Sequence, residues 1–322
     1  MKISDMDERE FNRFQNLSRQ AESAYKERIH SFRTEDNYRQ GMGEFIKYLA
    51  SETKLHKLEN IKAKHLIGFA DQLKENGISA STQKTYLCGI RDFADRFGID
   101  QRNIPSNERL GLDKRIFGNV DRSWTNKEFQ DFKEVAEKYD KDKGQGQRME
   151  LILETCRNFG CRLEGVLNLD LNAINKALDN GELMTKEKNG KINIKPVERL
   201  DQREVLEKIK ALGEENGQRK IFIGDNFKTT FKEVENFIYN NRSRIQLEER
   251  MITVEARKSF QENGIVVRST LSIHGLRYNY AKEKMKDYIS NGMSLHDASL
   301  KVSQLMGHNR EEITKIYLAS AE

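Results

Sequence analysis

Six side chains in this sequence carry groups that could act together on a phosphodiester. They comprise two arginines, two histidines, a lysine and a tyrosine: Arg162, Arg277, His274, His308, Lys188 and Tyr317. Cleaving a phosphodiester builds negative charge on the non-bridging oxygens, and a guanidinium can hold two such oxygens through parallel, permanently charged donors. Arg162 and Arg277 are therefore predicted to clamp a phosphate. Taken singly, each of the six has a commoner role as a surface charge, a helix cap or a core side chain.

His274 and Tyr317 are the candidates for proton transfer and nucleophilic attack. His274 lies three residues before Arg277, a spacing that lets both side chains address the same phosphate from one helix face. An imidazole titrates near neutrality, so it could remove the tyrosine proton or donate to a phosphate oxygen. A free tyrosine has a pKa of about 10, which leaves about one in a thousand ionised at pH 7. Tyr317 therefore needs a cationic cluster around it, to which His308 would add a donor.

A β-hairpin is predicted to carry the lysine. The Asn-Gly pair at 189–190 lies between two segments, 182–187 and 191–197, that we predict as strands, because both positions of so tight a turn favour positive φ. Lys188, beside this turn, is the candidate general acid for the group that leaves phosphorus. Spacing does not exclude two rival lysines: Lys186 and Lys191.

The rest of the sequence is predominantly helical. A hydrophobic fraction of 36%, a charged fraction of 33% and only 2 prolines in 322 residues are typical of seldom-interrupted helices. Apolar residues at helical spacing predict helices, the first of them charged and solvated, at 8–30, 33–50, 61–77, 79–98, 199–212, 229–250, 276–290 and 295–306. A further short strand is predicted at 220–224.

Turn-forming residues divide the chain into domains. Residues 101–123 lose helical periodicity and contain a proline and two glycines, which is typical of a linker. Thr125 followed by Glu128 then forms a capping-box pattern where a second domain would begin. The sequence thus predicts an N-terminal helical extension, a helical domain, a linker and a larger C-terminal domain, which cover 1–30, 31–103, 104–123 and 124–322.

The composition argues against several other classes of protein. Three cysteines without a CxxC pair suit neither a disulfide framework nor a thiolate zinc site, and they indicate a reducing cytoplasm. No apolar run approaches membrane-spanning length, and the N-terminus lacks the apolar core of a signal peptide. The sequence has neither a GxxxxGK[ST] loop nor a His/Cys metal cluster, so we expect no metal and no other cofactor. A net charge of +5 only leans towards an anionic partner.

The order and spacing of the six residues resemble those of the tyrosine recombinases, the phage-integrase family of site-specific DNA recombinases. The shared motifs are "GCRLEGVLNL" around Arg162, "HGLR" at 274–277, "GH" at 307–308, and a tyrosine nine residues beyond that histidine. The likeness spans residues 30–317, and the helical segment 34–97 is similar to the core-binding domain of the family. The catalytic motifs carry most of the specificity, because their order and spacing must all agree.

This resemblance implies a fold, a reaction and partners. The fold would be mainly α, with a SAM-like core-binding domain at 31–103 and a mostly α catalytic domain with a small antiparallel β-sheet at 124–322. The enzyme would cleave and rejoin DNA through a covalent 3′-phosphotyrosine at Tyr317, which preserves the bond energy. Its partners would be double-stranded DNA, other protomers in a tetramer on DNA, and accessory DNA-bending or directionality proteins. It would act for a mobile element, a phage or a plasmid. It would have no membrane partner.

The sequence departs from the family pattern in two important places. Three residues after Arg162, where the family commonly has an acidic residue, it has Gly165, with Glu164 one position earlier. The support of Arg162 is therefore open. Only five residues follow Tyr317, fewer than the C-terminal segment that family members commonly pass to a neighbouring protomer. The way in which protomers exchange contacts is open as well.

Two other functions fit the same residues. A DNA-binding protein of the same fold without turnover would bind DNA but not cleave it. A type IB topoisomerase would use the same tyrosine chemistry to relax supercoils, although the helical domain at 31–103 favours a recombinase. The target DNA sequence, the role of residues 1–30, and the choice among integration, excision, inversion and resolution do not follow from the sequence.

Overall fold

The structure is a computed structural model of the 322-residue chain. It describes residues 3–27, 29–30, 32–114, 122–139, 145–187, 190–245 and 271–307. The chain divides into two compact units, Met1–Ile116 and Phe117–Glu322. Helices dominate the described part of both units, and a two-stranded antiparallel sheet lies in the second.

The first unit is helical throughout its regular structure. Its α-helices in the described ranges are α1 (Glu8–Ala24), α2 (Phe32–Glu52), α3 (Ala63–Glu75) and α4 (Ala80–Phe97). At the start of α1, the Asp7 side chain accepts a hydrogen bond from Glu10 N–H, and the Glu10 carboxylate accepts one from Asp7 N–H. α4 ends at Gly98, which has a left-handed φ of 73°. The glycine-terminated helices predicted at 61–77 and 79–98 are confirmed.

Two glycines let α2 and α4 pack closely. A Cβ atom at Gly41 would lie 2.7 Å from Tyr86 Cα, and a Cβ atom at Gly89 would lie 2.7 Å from Tyr38 Cα. Both distances are shorter than real Cβ contacts, so any other residue would push the two backbones apart. The close approach brings the apolar faces of the two helices into one core.

α1 also contributes to this core. Leu17 is fully buried and Ala21 is 6% exposed, and both belong to the apolar cluster of the first unit. The prediction of a helix within 8–30 is confirmed, but the expectation that it is a solvated helix is wrong, because this face is buried. Leu110, from the segment predicted as a linker, packs on the same cluster, and Lys74 Nζ donates to its carbonyl at 3.0 Å.

The second unit combines helices with one hairpin. Its elements in the described ranges are α5 (Asn126–Glu137), α6 (Gln145–Phe159), α7 (Leu163–Leu167), α8 (Leu171–Asn180), β1 (Glu182–Lys186), β2 (Ile192–Pro196), α9 (Leu200–Asn216), α10 (Phe227–Ile245), α11 (Gly275–Ser290) and α12 (Leu295–Leu305). The predicted helices near 199–212, 276–290 and 295–306 are confirmed. α10 confirms the described part of the helix predicted at 229–250.

The predicted capping box starts α5 in the second unit. The Thr125 side chain accepts from Glu128 N–H at 3.1 Å, and the Glu128 carboxylate accepts from Thr125 N–H at 2.7 Å. Trp124, the sole tryptophan of the sequence, is 2% exposed and packs against Phe132, with ring centroids 4.5 Å apart and the rings tilted by 33°. Among the described residues of this unit, the apolar core therefore begins at Trp124, directly before α5.

The two strands pair as predicted. Leu183 lies opposite Lys195, and Thr185 lies opposite Asn193. Gly190, with a φ of 73°, donates its N–H to the Glu187 carbonyl at 3.0 Å and closes a tight turn. The hairpin predicted from the Asn-Gly pair is confirmed, with strand ends within one residue of the prediction.

The buried face of this hairpin is mostly polar, with Leu183 as its apolar member. Four polar side chains that are at most 6% exposed lie on it: Thr185, Glu187, Asn193 and Lys195. The outer face carries three apolar side chains that are 45–58% exposed: Met184, Ile192 and Ile194. Because buried charges must have partners, this inverted pattern indicates that the inner face meets other polar groups.

The prediction of a short strand at 220–224 is wrong. The segment turns instead, and the Ile221 N–H donates to the Leu169 carbonyl at 3.2 Å. Ile221 and Phe222 are buried in the core of the second unit, so the apolar run reflects a packed loop. No helix within the described ranges is long and apolar enough to cross a membrane.

Candidate active site

Arg162 is fixed by a tight turn between α6 and α7. Gly160 has a φ of 58°, and a Cβ atom there would lie 2.4 Å from Cδ1 of Tyr280. Both the backbone and the Tyr280 ring therefore require glycine. Arg162 is the N-cap of α7, and the leucine at 167, fully buried, anchors that helix in the core. The Arg162 side chain is 25% exposed, so it lies at the rim of the site.

Arg277 lies one turn into α11 and is completely buried. Its NH1 group donates to the Gly160 carbonyl, and its NH2 group donates to the Met306 carbonyl at 2.9 Å. Trp124 fixes the approach to this helix, because its Nε1 donates to the Ser272 carbonyl at 3.0 Å. Arg277 thus joins three segments: α11, the turn before Arg162, and the end of α12.

The carboxylate of Glu187 joins the two arginines. Its Oε2 is paired with NH1 of Arg162, and its Oε1 lies 3.6 Å from NH1 of Arg277. Oε1 also accepts from the Arg162 backbone N–H at 3.3 Å. Glu187 is 1% exposed, so the hairpin turn brings a buried negative charge between two guanidinium groups.

The inner face of the hairpin also holds the C-terminal end of α12. The Leu305 carbonyl accepts from Lys195 Nζ and, at 3.2 Å, from Asn193 Nδ2. Lys191 Nζ donates to the Gly307 carbonyl at 2.7 Å. With the Arg277 contact to the intervening carbonyl, three successive carbonyls accept from cationic side chains, which favours this end of the helix dipole.

Gly307 lies directly beside the arginine cluster. A Cβ atom at this position would lie 2.9 Å from Asn193 Nδ2 and 3.6 Å from NH1 of Arg162. Its φ is 73°, so both space and backbone conformation favour glycine. The chain therefore leaves α12 within contact distance of Arg162.

Charged groups in the cluster perturb one another. Burial raises the pKa of Glu187, but Arg277, Arg162 and Lys195 outweigh it and hold that pKa below its ordinary range. Burial lowers the pKa of Lys195 to about 8, so the ammonium is still charged at neutral pH. Burial raises the pKa of the Cys161 thiol to about 11. At neutral pH the cationic groups of this cluster therefore outnumber its single carboxylate.

His274 precedes α11 as its N-cap residue and is exposed. The Arg277 N–H donates to the His274 carbonyl at 3.1 Å, so the two residues are one helical turn apart. A Cβ atom at Gly275 would lie 2.3 Å from the Arg122 carbonyl oxygen. The close packing of Gly275 fixes the backbone that carries His274.

The structure describes three of the six predicted site residues: Arg162, His274 and Arg277. It brings the two arginines together through Glu187 and places His274 one turn away. Of the rival lysines, Lys186 is exposed on the outer hairpin face and Lys191 contacts the end of α12. The other three predicted residues lie outside the described ranges: Lys188, His308 and Tyr317. No cluster of His, Cys, Asp and Glu within those ranges could hold a metal ion.

Two family models match this sequence. The model described as "Phage integrase, N-terminal SAM-like domain" matches residues 22–96, and the model described as "Phage integrase family" matches residues 124–322. The chain belongs to the phage integrase family. A comparison of this family member with curated protein sequences gave no significant match. The resemblance to the tyrosine recombinases and the fold class that it implied are confirmed.

Solved structures of the phage integrase family share its fold. The XerH site-specific recombinase in its post-cleavage complex has a TM-score of 0.58 at 19% identity, over 97% of this chain and 85% of that one. A lambda integrase dimer bound to a core site has a TM-score of 0.57 at 16% identity, over 94% of this chain and 76% of that one. The Tn1549 transposon integrase with transposon right end DNA has a TM-score of 0.50 at 13% identity, over 96% and 95%.

Sequence reasoning about this integrase-family chain missed two charged residues of the cluster. Glu187 and Lys195 are both buried beside the predicted arginines. For Lys195 the signal was present in the strand pattern, because this residue belongs to the polar set in the alternation of apolar and polar residues over 191–195. For Glu187 there was no such signal, because 182–187 does not alternate. Which set faces the interior depends on the arginines and carbonyls that meet it.

Proposed function

We propose that this chain is a site-specific DNA recombinase or integrase, serving a mobile element, phage or plasmid, that cleaves and rejoins strands through a covalent 3′-phosphotyrosine at Tyr317. The observation that carries this proposal is the pairing of Arg162 and Arg277 around one buried carboxylate. Gly307, which precedes His308, lies beside the same cluster. Membership of the phage integrase family supports the reaction class.

In this reaction the cationic residues stabilise the charge that develops on the phosphate. Arg162 and Arg277 bind the non-bridging oxygens, and His308 adds a donor. His274 removes the Tyr317 proton or donates to an oxygen, since an imidazole can do either near neutral pH.

The phenolate oxygen of Tyr317 then forms a bond to phosphorus while the bond from phosphorus to the 5′ oxygen breaks. Lys188 protonates the departing 5′ oxygen. Attack by a 5′ hydroxyl reverses these steps and releases the tyrosine, so rejoining needs no nucleotide.

Domain roles and partners form part of the same proposal. Residues 31–103 act as the core-binding DNA-binding domain and 124–322 as the catalytic domain. Residues 104–123 link the two, and an N-terminal extension at 1–30 precedes them. The partner is double-stranded DNA, on which four protomers assemble. Support comes from structural neighbours described as a recombinase bound to its DNA substrate and as a lambda integrase tetramer bound to a Holliday junction.

A covalent adduct tests the proposal. The target is first mapped as the DNA that the wild-type protein marks covalently in its own genomic neighbourhood, and a nicked suicide duplex is made from it. We expect a protein–DNA adduct with wild type and none with Tyr317→Phe. Tyr239→Phe is the matched control, because Tyr239 is 59% exposed in α10 and its adduct should persist. An adduct that survives Tyr317→Phe contradicts the proposal.

The adduct assay, together with DNA binding and plasmid relaxation, separates the alternatives. A DNA-binding protein of this fold without turnover gives specific binding and no adduct on any duplex. A type IB topoisomerase relaxes supercoiled plasmids that lack the mapped site. For the proposed recombinase, binding should weaken with salt, with a log–log slope of about 0.9 per neutralised phosphate, and a flat response would count against contacts to the DNA backbone.

A further inference from the structure

The carboxylate of Glu187 is the least expected component of the arginine cluster. It contacts Arg162 through both the guanidinium and the backbone N–H, and it lies 3.6 Å from Arg277. Two guanidinium groups held this close repel each other in a poorly solvated site, and one buried carboxylate between them offsets that repulsion. The position of each arginine thus depends on the same side chain.

The sequence around Arg162 makes room for this carboxylate. At Gly165, where the family resemblance predicts an acidic residue, a Cβ atom would lie 3.1 Å from Cγ of Glu187 and 3.4 Å from Cβ of Thr185. Glu187 therefore occupies the space that a side chain at 165 would enter. Glycine at 165 thus leaves the space that the Glu187 side chain fills.

The neighbouring acid does not take this role. Glu164 follows Arg162 by two residues and is only partly buried, and no ion pair within the described ranges joins it to either arginine. Glu187 is the acid in contact with both arginines there. It also comes from β1's end, so its position depends on the hairpin and not on α7.

We propose that Glu187 is the positioning residue that holds Arg162 and Arg277 for the phosphate, in place of the acidic residue expected at 165. This inference rests on the proposed function, because it assigns the phosphate to the two arginines. It couples the geometry of the arginine pair to the hairpin that carries Lys188.

The test compares single-turnover rates of adduct formation on the nicked suicide duplex. Glu187→Gln keeps the shape of the side chain but removes its charge. We expect the rate to fall about 10- to 100-fold, the range found when a side chain that orients a metal ligand is lost. Binding of the same duplex should stay within about threefold, since the phosphate contacts that position DNA are many. Glu182→Gln, an exposed acid on the same strand, is the matched control and should keep the wild-type rate.

Moving the carboxylate gives a second readout that a purely structural role would not produce. Gly165→Glu in a Glu187→Ala background places the acid where the family pattern has it. The double variant should form the adduct at least about tenfold faster than Glu187→Ala alone. Gly165→Glu in the otherwise wild-type protein should be slow, because the new side chain meets Glu187. Thermal unfolding of every variant checks that it is folded.

The outcomes separate this inference from the proposed function. No adduct with the wild-type protein overturns the proposed function itself. A wild-type adduct together with an unchanged rate for Glu187→Gln overturns only the role of Glu187. If Glu187→Gln does not fold, the relocated carboxylate decides: a restored adduct supports the inference, and a folded double variant without adduct, or one that does not fold, overturns it.

Discussion

Lys195 should make the second unit less stable at neutral pH than at moderately alkaline pH. Burial lowers the pKa of this lysine from 10.5 to about 8, so between these values the unfolded chain binds more protons than the folded one. The contribution of Lys195 to the free energy of unfolding therefore rises with pH across that window and is constant below it. Replacing the lysine by methionine keeps an unbranched apolar chain of similar length and removes this dependence.

The magnitude follows from the two pKa values. A difference of about 2.5 units costs the folded state about 3 kcal/mol at pH 7, of which about 2 kcal/mol is recovered by pH 9.5. Lys195→Met also removes one donor to the Leu305 carbonyl, at a cost of about 1 kcal/mol, although Asn193 still donates there. That cost does not vary with pH, so the change in the difference between wild type and variant is the quantity to measure.

Urea titrations followed by the fluorescence of Trp124 report on the second unit, because this sole tryptophan is buried in its core. We expect wild type to gain about 2 kcal/mol relative to Lys195→Met between pH 7 and pH 9.5. Lys186→Met, which removes an exposed lysine from the neighbouring strand, should follow wild type. A wild-type minus Lys195→Met difference that is constant across this range would refute the reasoning.

Two further predictions use glycines as matched pairs. Gly160→Ala combines a φ of 58° with a Cβ 2.4 Å from Tyr280, and should lower the free energy of unfolding by about 3 kcal/mol or more. Gly217→Ala has a similar φ of 59° but open space around it, and should lower it by about 1 kcal/mol. Equal losses in the Trp124 titration would remove the steric argument. Gly89→Ala should destabilise the first unit by about 2 kcal/mol, because the new Cβ atom clashes with the backbone of Tyr38. Gly43→Ala lies inside α2, where a Cβ atom would have nothing within 4 Å, and should stabilise the unit by up to about 1 kcal/mol. Thermal unfolding followed by circular dichroism compares the two, and a destabilising Gly43→Ala would contradict the second statement.

Local sequence rules predicted much of this fold. The hairpin followed from one Asn-Gly pair, because a tight turn at 189–190 needs residues that accept positive φ. The start of α5 followed from Thr125 and Glu128, whose capping bonds the structure confirms. The proximity of Arg162 and Arg277 followed from the order of motifs typical of the family, since residues so far apart in sequence have no local rule that joins them.

Other features depend on tertiary contacts that a single sequence does not encode locally. Alternation of apolar and polar residues in β2 separates two faces but does not say which is buried. Here its polar face is inside because Asn193 and Lys195 meet the Leu305 carbonyl. The short apolar run at 220–224 was expected to be a strand, but a loop buries it equally well. The buried face of α1 was missed because its apolar residues are few among many charges.

The fixed end of α12 sets a limit on where the proposed nucleophile can act. Gly307 is held by its carbonyl contact to Lys191 and by its packing beside Arg162 and Asn193. Tyr317 is the tenth residue after Gly307, and a fully extended chain of ten Cα–Cα steps spans at most about 35 Å. In the proposed reaction, the reach of Tyr317 is therefore limited by its chain distance from the arginine pair. Inserting glycines between Gly307 and Tyr317 would lower the local concentration of the phenol at the phosphate, while the contacts within the cluster stay the same.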